Sequence, residues 1–152
     1  MDTSNHRMTK IYEIQNHISI QQALLRFGFL FPDLQQRIGS IDEFAAKLSR
    51  NAIVSILESN GEAVGFVAFY ANDLKTKTCF ITLIGVLPEF QRMRYGIKLL
   101  NHCIAKASGL GMMSIQLEVN KKKTAAFSFY MKNGFSKTEK ETDISIFLER
   151  KI

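Results

Sequence analysis

The stretch that most restricts what this chain can fold into is Val86-Leu87-Pro88-Glu89-Phe90-Gln91-Arg92-Met93-Arg94-Tyr95-Gly96-Ile97. A strand-like apolar run, Cys79 to Val86, leads directly into it, and a helix-like run, Ile97 to Ala107, leads out. Strand, tight polar turn and helix in that order make an anion cradle. The first N–H groups of a helix have no partner within it, and the helix dipole adds partial positive charge there. Gln91, Arg92 and Arg94 surround the turn with donors, and Gly96 lets the backbone come close to a bound group. The expected guest is a phosphate that belongs to a cofactor.

A second segment gives the first its meaning: Leu117-Glu118-Val119-Asn120, then Lys123, Ala126, Tyr130 and Asn133-Gly134-Phe135. The two together resemble the acetyl-CoA signature of the GNAT superfamily of N-acetyltransferases. In that family a V-x-P stretch enters a Q/R-x-x-G-x-G/A pyrophosphate loop, and an N-x-x-A-x-x-x-Y-x-x-x-G-F helix follows. Val86, Pro88, Gln91, Gly96, Ala126 (or its neighbour Ala125), Tyr130, Gly134 and Phe135 fit. Arg94 stands where the loop's first glycine is usual, and Lys123 where an asparagine usually meets the pantetheine. The resemblance covers residues 62–150 well, and the residues before them only by general layout.

The resemblance implies an α+β fold, with a GNAT-type mixed, mostly antiparallel central sheet flanked by helices. It implies acetyl-CoA as co-substrate. Backbone groups of Ile84, Gly85 and Val86 would meet the pantetheine and the thioester carbonyl. Gln91, Arg92, Met93, Arg94, Tyr95, Gly96 and Ile97 would meet the pyrophosphate, with Lys123 and Ala126 completing the set. Arg94 has two readings. Either it meets a phosphate at a cost on the order of 1 kcal/mol of left-handed backbone strain, or it faces water from a right-handed turn, which the sequence slightly favours. Lys123 is equally well a solvated helix-start residue.

Two residues carry the chemistry in this resemblance. Tyr130 matches the tyrosine that family members use as the acid protonating the departing CoA thiolate; otherwise it is a packing aromatic like Phe127 and Phe129. Glu118 stands where ribosomal-protein N-terminal alanine acetyltransferases, one GNAT branch, take the proton from the amine. Otherwise it is a strand carboxylate facing water, and Glu89 is a weaker candidate for the base. The implied reaction is transfer of acetyl to a primary amine by direct attack in a ternary complex. The acceptor is open between a small amine, an amino sugar and a protein N-terminus. The alternative is a catalytically silent acyl-CoA-binding sensor or regulatory module.

A chain of 152 residues suits one domain, residues 1–152, with a single core. No apolar run approaches the ~20 residues of a membrane helix, and Met1 to Lys10 is polar, without the apolar stretch of a secretory signal. Cys79 and Cys103 sit in apolar surroundings, as core residues of a reducing compartment do, so a cytoplasmic location is expected. His6, His17 and His102 show no metal-ligand spacing with those cysteines, and no metal is expected. The net charge of +6 raises the question of nucleic acid. The basic residues are scattered, however, apart from Arg92/Arg94 and Lys121–Lys123, and both clusters lie in the cofactor segments. Neither nucleic acid nor membrane is expected as a partner, and a homodimer is left open.

Periodicity and punctuation lay out the rest. Strands are expected over 10–14, 52–58, 63–71, 76–86, 114–119, 135–139 and 143–149, the last alternating Ile144, Ile146 and Leu148. Helices are expected over 18–29, from a Ser40/Glu43 capping box to Leu48, over 95–108 ended by Gly109 and Gly111, and over 123–133. Gly85 suggests a bulge or a close approach. Ile84 and Val86 are expected in the core, as are Phe27, Phe29, Phe31 and Phe44, although these four could instead line an acceptor pocket.

Overall fold

The computed structural model describes residues 8–152. Met1–Arg7, including His6 and most of the polar N-terminal stretch, lie outside the described residues. The elements run β1 (Thr9–Ile14), α1 (His17–Phe27), α2 (Leu34–Ile38), α3 (Ile41–Asn51), β2 (Ile53–Ser59), β3 (Glu62–Tyr70), β4 (Thr78–Val86), α4 (Tyr95–Gly109), β5 (Ser114–Asn120), α5 (Thr124–Lys132), β6 (Ser136–Glu141) and β7 (Ser145–Lys151). Short 3-10 turns cover Gly28–Leu30 and Pro88–Phe90. The strands form one sheet in the order β1-β2-β3-β4-β5-β7-β6. β4 and β5 pair in parallel, whereas β1/β2, β2/β3, β5/β7 and β6/β7 are antiparallel. This is the mixed, mostly antiparallel sheet with helices that the sequence implies.

The described chain divides into two compact units. The first takes in the chain as far as Phe69 and returns for Leu83–Cys103. Helices α1 and α3 start where side chains replace the missing intrahelical acceptors. Asn16 Oδ1 accepts from Ser19 N–H at 2.7 Å, and Ser40 Oγ accepts from Glu43 N–H at 3.2 Å. The first of these caps went unread in the sequence, as did the five-residue helix α2. The β2–β3 hairpin turns through Asn60 and Gly61, both with positive φ (52° and 82°), the backbone a two-residue turn of this twist requires. An aromatic cluster fills the core. Phe27 stacks on Phe66 at 5.0 Å between centroids, and Phe31 meets the same ring edge-on at 5.9 Å. Phe29 departs from expectation: it lies in the 3-10 turn, where the helical stripe is lost, and is 63% exposed.

The second unit comprises Tyr70–Thr82 and Ile104–Ile152. Asp73 closes the turn before β4, its Oδ1 accepting from Lys75 N–H at 3.2 Å and Thr76 N–H at 3.1 Å. The bonds from Thr76 hold its carboxyl below the usual carboxylate range. Gly109 is still helical. Termination falls to Gly111, at φ +88°, with Met112 N–H reaching Ala107 O and Gly111 N–H reaching Ser108 O, both at 3.0 Å. β5 buries Ile115, Leu117 and Val119 and leaves Glu118 exposed, the alternation read from the sequence. β7 starts later than expected. Ile144 falls in the turn and is 65% exposed, while Ser145, Phe147 and Leu148 are buried.

Candidate active site

Burial along β4 alternates through Leu83 and then changes phase, with Ile84 and Gly85 half-buried and Val86 buried. Ile84 is therefore less enclosed than its apolar side chain suggests. Gly85 is a close approach: a Cβ there would stand 2.8 Å from Leu30 Cδ1 and 3.2 Å from Phe31 Cζ. The chain leaving β4 is anchored at once, Leu87 N–H donating to Val64 O at 2.8 Å. Pro88–Phe90 forms a 3-10 turn in which Phe90 N–H returns to Leu87 O at 2.9 Å. The Gln91 side-chain amide then donates to Val86 O at 3.1 Å, latching the loop to the last residue of the strand.

Arg94 is the turning point. Its φ is +64°, so the slot has the left-handed backbone that favours glycine, and the right-handed turn expected for it is corrected. The chain passes from this residue directly into α4. Arg94 C=O accepts the first helical bond from Lys98 N–H at 3.2 Å. The N–H groups of Tyr95, Gly96 and Ile97 are then those that an α-helix leaves without an intrahelical acceptor. Tyr95 does not offer its side chain to a ligand. It is 3% exposed, its hydroxyl pairs with Ser59 Oγ at 2.7 Å, and its ring stacks on Phe90. Gln91, Arg92 and Arg94 are exposed, and Met93 and Ile97 are half-buried. Helix-start donors with two exposed guanidinium groups suit a phosphate-bearing ligand.

The second unit holds Glu118, Lys123, Ala126 and Tyr130. Glu118 projects from β5 beside β7 and accepts a hydrogen bond from the hydroxyl of buried Ser145. An exposed carboxylate anchored at one oxygen has a defined direction, which a proton acceptor needs. Lys123 is exposed at the start of α5, with its C=O accepting from Phe127 N–H at 3.0 Å. Ala126 is half-buried one turn on, and Ala125 is exposed. Tyr130 is 8% exposed, its ring meeting Phe129 and Phe135 edge-on at 5.2 and 5.4 Å. Gly134, at φ +89°, ends the helix, and Asn133 and Phe135 N–H groups both return to Tyr130 O. Among the described residues, no group of three or more His, Cys, Asp and Glu could hold a metal ion, and no helix is long and apolar enough to cross a membrane.

The acetyltransferase (GNAT) family model matches residues 9–135, which takes in the loop, β5 and Tyr130. The chain belongs to the GNAT acetyltransferase family. Solved structures agree at the level of fold. The ribosomal-protein-S18-alanine N-acetyltransferase from Escherichia coli is 23% identical, with a TM-score of 0.73 over 95% of this chain and 94% of that one. PaiA N-acetyltransferase from Thermoplasma acidophilum, solved in complex with coenzyme A, is 17% identical, with a TM-score of 0.72 over 94% and 99%. A GNAT family acetyltransferase from Elizabethkingia anophelis, with acetyl-CoA bound, is 20% identical, with a TM-score of 0.72 over 95% and 98%. A search of curated proteins finds no match.

Two residues of this GNAT chain escaped the sequence reading. Ser145 holds Glu118, and Ser59 holds the Tyr95 hydroxyl at the foot of the loop helix. Both serines are 3% exposed. A serine at the end of a strand is a weak signal, and its partner is known only once the strand order is.

Proposed function

We propose that the protein transfers acetyl from acetyl-CoA to a primary amine by direct attack in a ternary complex, as a single acetyltransferase domain. Family membership supports an acyltransferase, and the observation that carries acetyl-CoA is the loop from Gln91 to Ile97. It has a left-handed Arg94, exposed cations and an α-helix that begins at Tyr95. The coenzyme A and acetyl-CoA complexes of the Thermoplasma and Elizabethkingia proteins support the same ligand.

In this proposal the N–H groups of Tyr95, Gly96 and Ile97, with Gln91, Arg92 and Arg94, hold the pyrophosphate. Backbone groups of Ile84, Gly85 and Val86 orient the pantetheine and thioester, aided by Met93, Lys123 and Ala126. Bound acetyl-CoA supplies an activated acetyl group. Glu118 takes a proton from the ammonium of the acceptor, because only the neutral amine has the lone pair needed for attack. Tyr130 gives its phenolic proton to the departing sulfur, so CoA leaves as the thiol. The second proton that the nitrogen sheds on becoming an amide passes through water to restore the phenol, and Glu118 releases the first to solvent. The acceptor amine is part of this proposal, as is a cytoplasmic location.

The deciding experiment is release of CoA thiol from acetyl-CoA across a panel of primary amines. Thiol release that depends on one class of amine supports the transferase. Binding of acetyl-CoA with no release for any amine makes the protein an acyl-CoA sensor instead. Both outcomes require binding, which thermal melting measures. Acetyl-CoA or CoA at a hundred times its dissociation constant adds about 2.7 kcal/mol of stability, whereas adenosine without phosphates adds far less. No shift with either CoA species removes acetyl-CoA from the account.

Arg94 gives a test of opposite signs. Arg94→Gly relieves a left-handed strain of about 1 kcal/mol, offset in part by the freer unfolded chain, so the melting temperature holds or rises. If the guanidinium meets a phosphate, CoA affinity falls about tenfold, the scale of one hydrogen bond to a charged group. Unchanged affinity in a protein at least as stable means that Arg94 faces water.

A further inference from the structure

β6 does not run in even register against β7. Lys137 pairs with Leu148 and Glu141 with Ile146, so Thr138, Glu139 and Lys140 together lie opposite Phe147. Extra residues in one strand bend it and re-aim their side chains. Thr138 Oγ1 fixes the bend by donating to Phe147 O at 2.9 Å and accepting from Lys140 N–H at 3.1 Å. The Lys140 ammonium thereby lies 4.2 Å from the centre of the Phe147 ring. Phe147 is also the direct cross-strand partner of Glu118. Residues so paired share a face of the sheet, with Cβ atoms about 5 Å apart. A carboxylate and an ammonium therefore flank one aromatic ring.

The cation is available. Lys121 is paired with Glu141 at 3.0 Å and Lys151 with Glu149 at 3.3 Å, whereas Lys140 forms no ion pair among the described residues. The unit that holds it carries eleven Lys and Arg against six Asp and Glu, so it accounts for five of the chain's six net positive charges.

We propose that the acceptor is an anionic amine, with a carboxylate or phosphate a few bonds from its nitrogen, and that Lys140 binds that group. This rests on the transferase reading with Glu118 as base. An amine within hydrogen-bond reach of Glu118 places its near substituents beside Phe147. An anion among those substituents meets the Lys140 ammonium, and a neutral chain of the same length leaves that charge unmatched.

The test compares kcat/KM for matched amines: 4-aminobutyrate against butylamine, and phosphoethanolamine against ethanolamine. The first pair reads a carboxylate and the second a phosphate. The anionic member of at least one pair is favoured about tenfold, and the preference shrinks as ionic strength rises. Lys140→Ala brings that pair close to parity, Lys140→Arg keeps the preference, and Lys140→Glu shifts it toward butane-1,4-diamine. Lys140 is exposed, so these variants fold. Equal rates within both pairs overturn the inference and leave the transferase standing. So does a preference that survives Lys140→Ala, or a Lys140→Ala effect confined to the KM for acetyl-CoA. Thiol release with no amine at all overturns the transferase and this inference together.

Discussion

Replacement of Tyr130 by Phe lowers turnover about 100-fold, the lower range for loss of a positioned acid, while CoA affinity changes little. The substitution removes one oxygen and keeps the ring, whose edge contacts with Phe129 and Phe135 hold the end of α5. Packing therefore survives, and the loss falls on the step in which sulfur leaves. Thiol release under saturating acetyl-CoA measures the rate, and the melting shift with CoA measures binding in the same protein. A variant that binds CoA normally and turns over at the wild-type rate makes Tyr130 a packing residue. Loss of both rate and fold would instead mean that the hydroxyl supports the helix end.

Glu118→Gln reduces the rate by about 10²-fold or more at neutral pH, and its signature lies in the pH profile. Gln is close in size to Glu and keeps an oxygen that can accept from Ser145, so β5 and β7 stay in register. It cannot take a proton. An acceptor amine is mostly protonated at pH 7 and sheds its proton to solvent as the pH approaches its own pKa. The variant therefore regains rate at high pH, where no base is needed. Equal losses at every pH point to a positioning role for the carboxylate. No loss at any pH leaves Glu118 a solvated strand residue, and a water chain would then serve as the base.

Much of the fold was legible because its signals are local. A capping serine acts on an N–H three residues on, as Ser40 does on Glu43. The Asn60-Gly61 pair chooses its turn by backbone preference alone. Burial on alternate residues of β5 follows from the pleat. Where local preference was weak, the reading missed. α2 spans five residues, too short for a periodic pattern, and Phe29 follows a helix whose stripe ends at Phe27. Ile144 alternates with Ile146 in the sequence, but the β6–β7 turn runs through Ile144, and the strand buries Ser145, Phe147 and Leu148 instead.

The candidate site divides along the same line. Its residue types and spacing stand in the chain itself: Gln91 and Gly96 in the loop, Glu118 on a strand, Tyr130 on a helix before Gly134. That pattern identified the family, because contact between a loop backbone and a phosphate depends on which residues are consecutive. Tertiary structure decided what no run of neighbours encodes. It put Arg94 into left-handed backbone at +64°, since the path from β4 into α4 is set by what both elements pack against. It turned Tyr95 inward onto Ser59 and put Ser145 against Glu118, pairs 36 and 27 residues apart in sequence. It also laid Lys140 over Phe147 through the slipped register of β6. Side-chain partners across a sheet follow from strand order and register, and these are properties of the assembled chain, not of any segment of it.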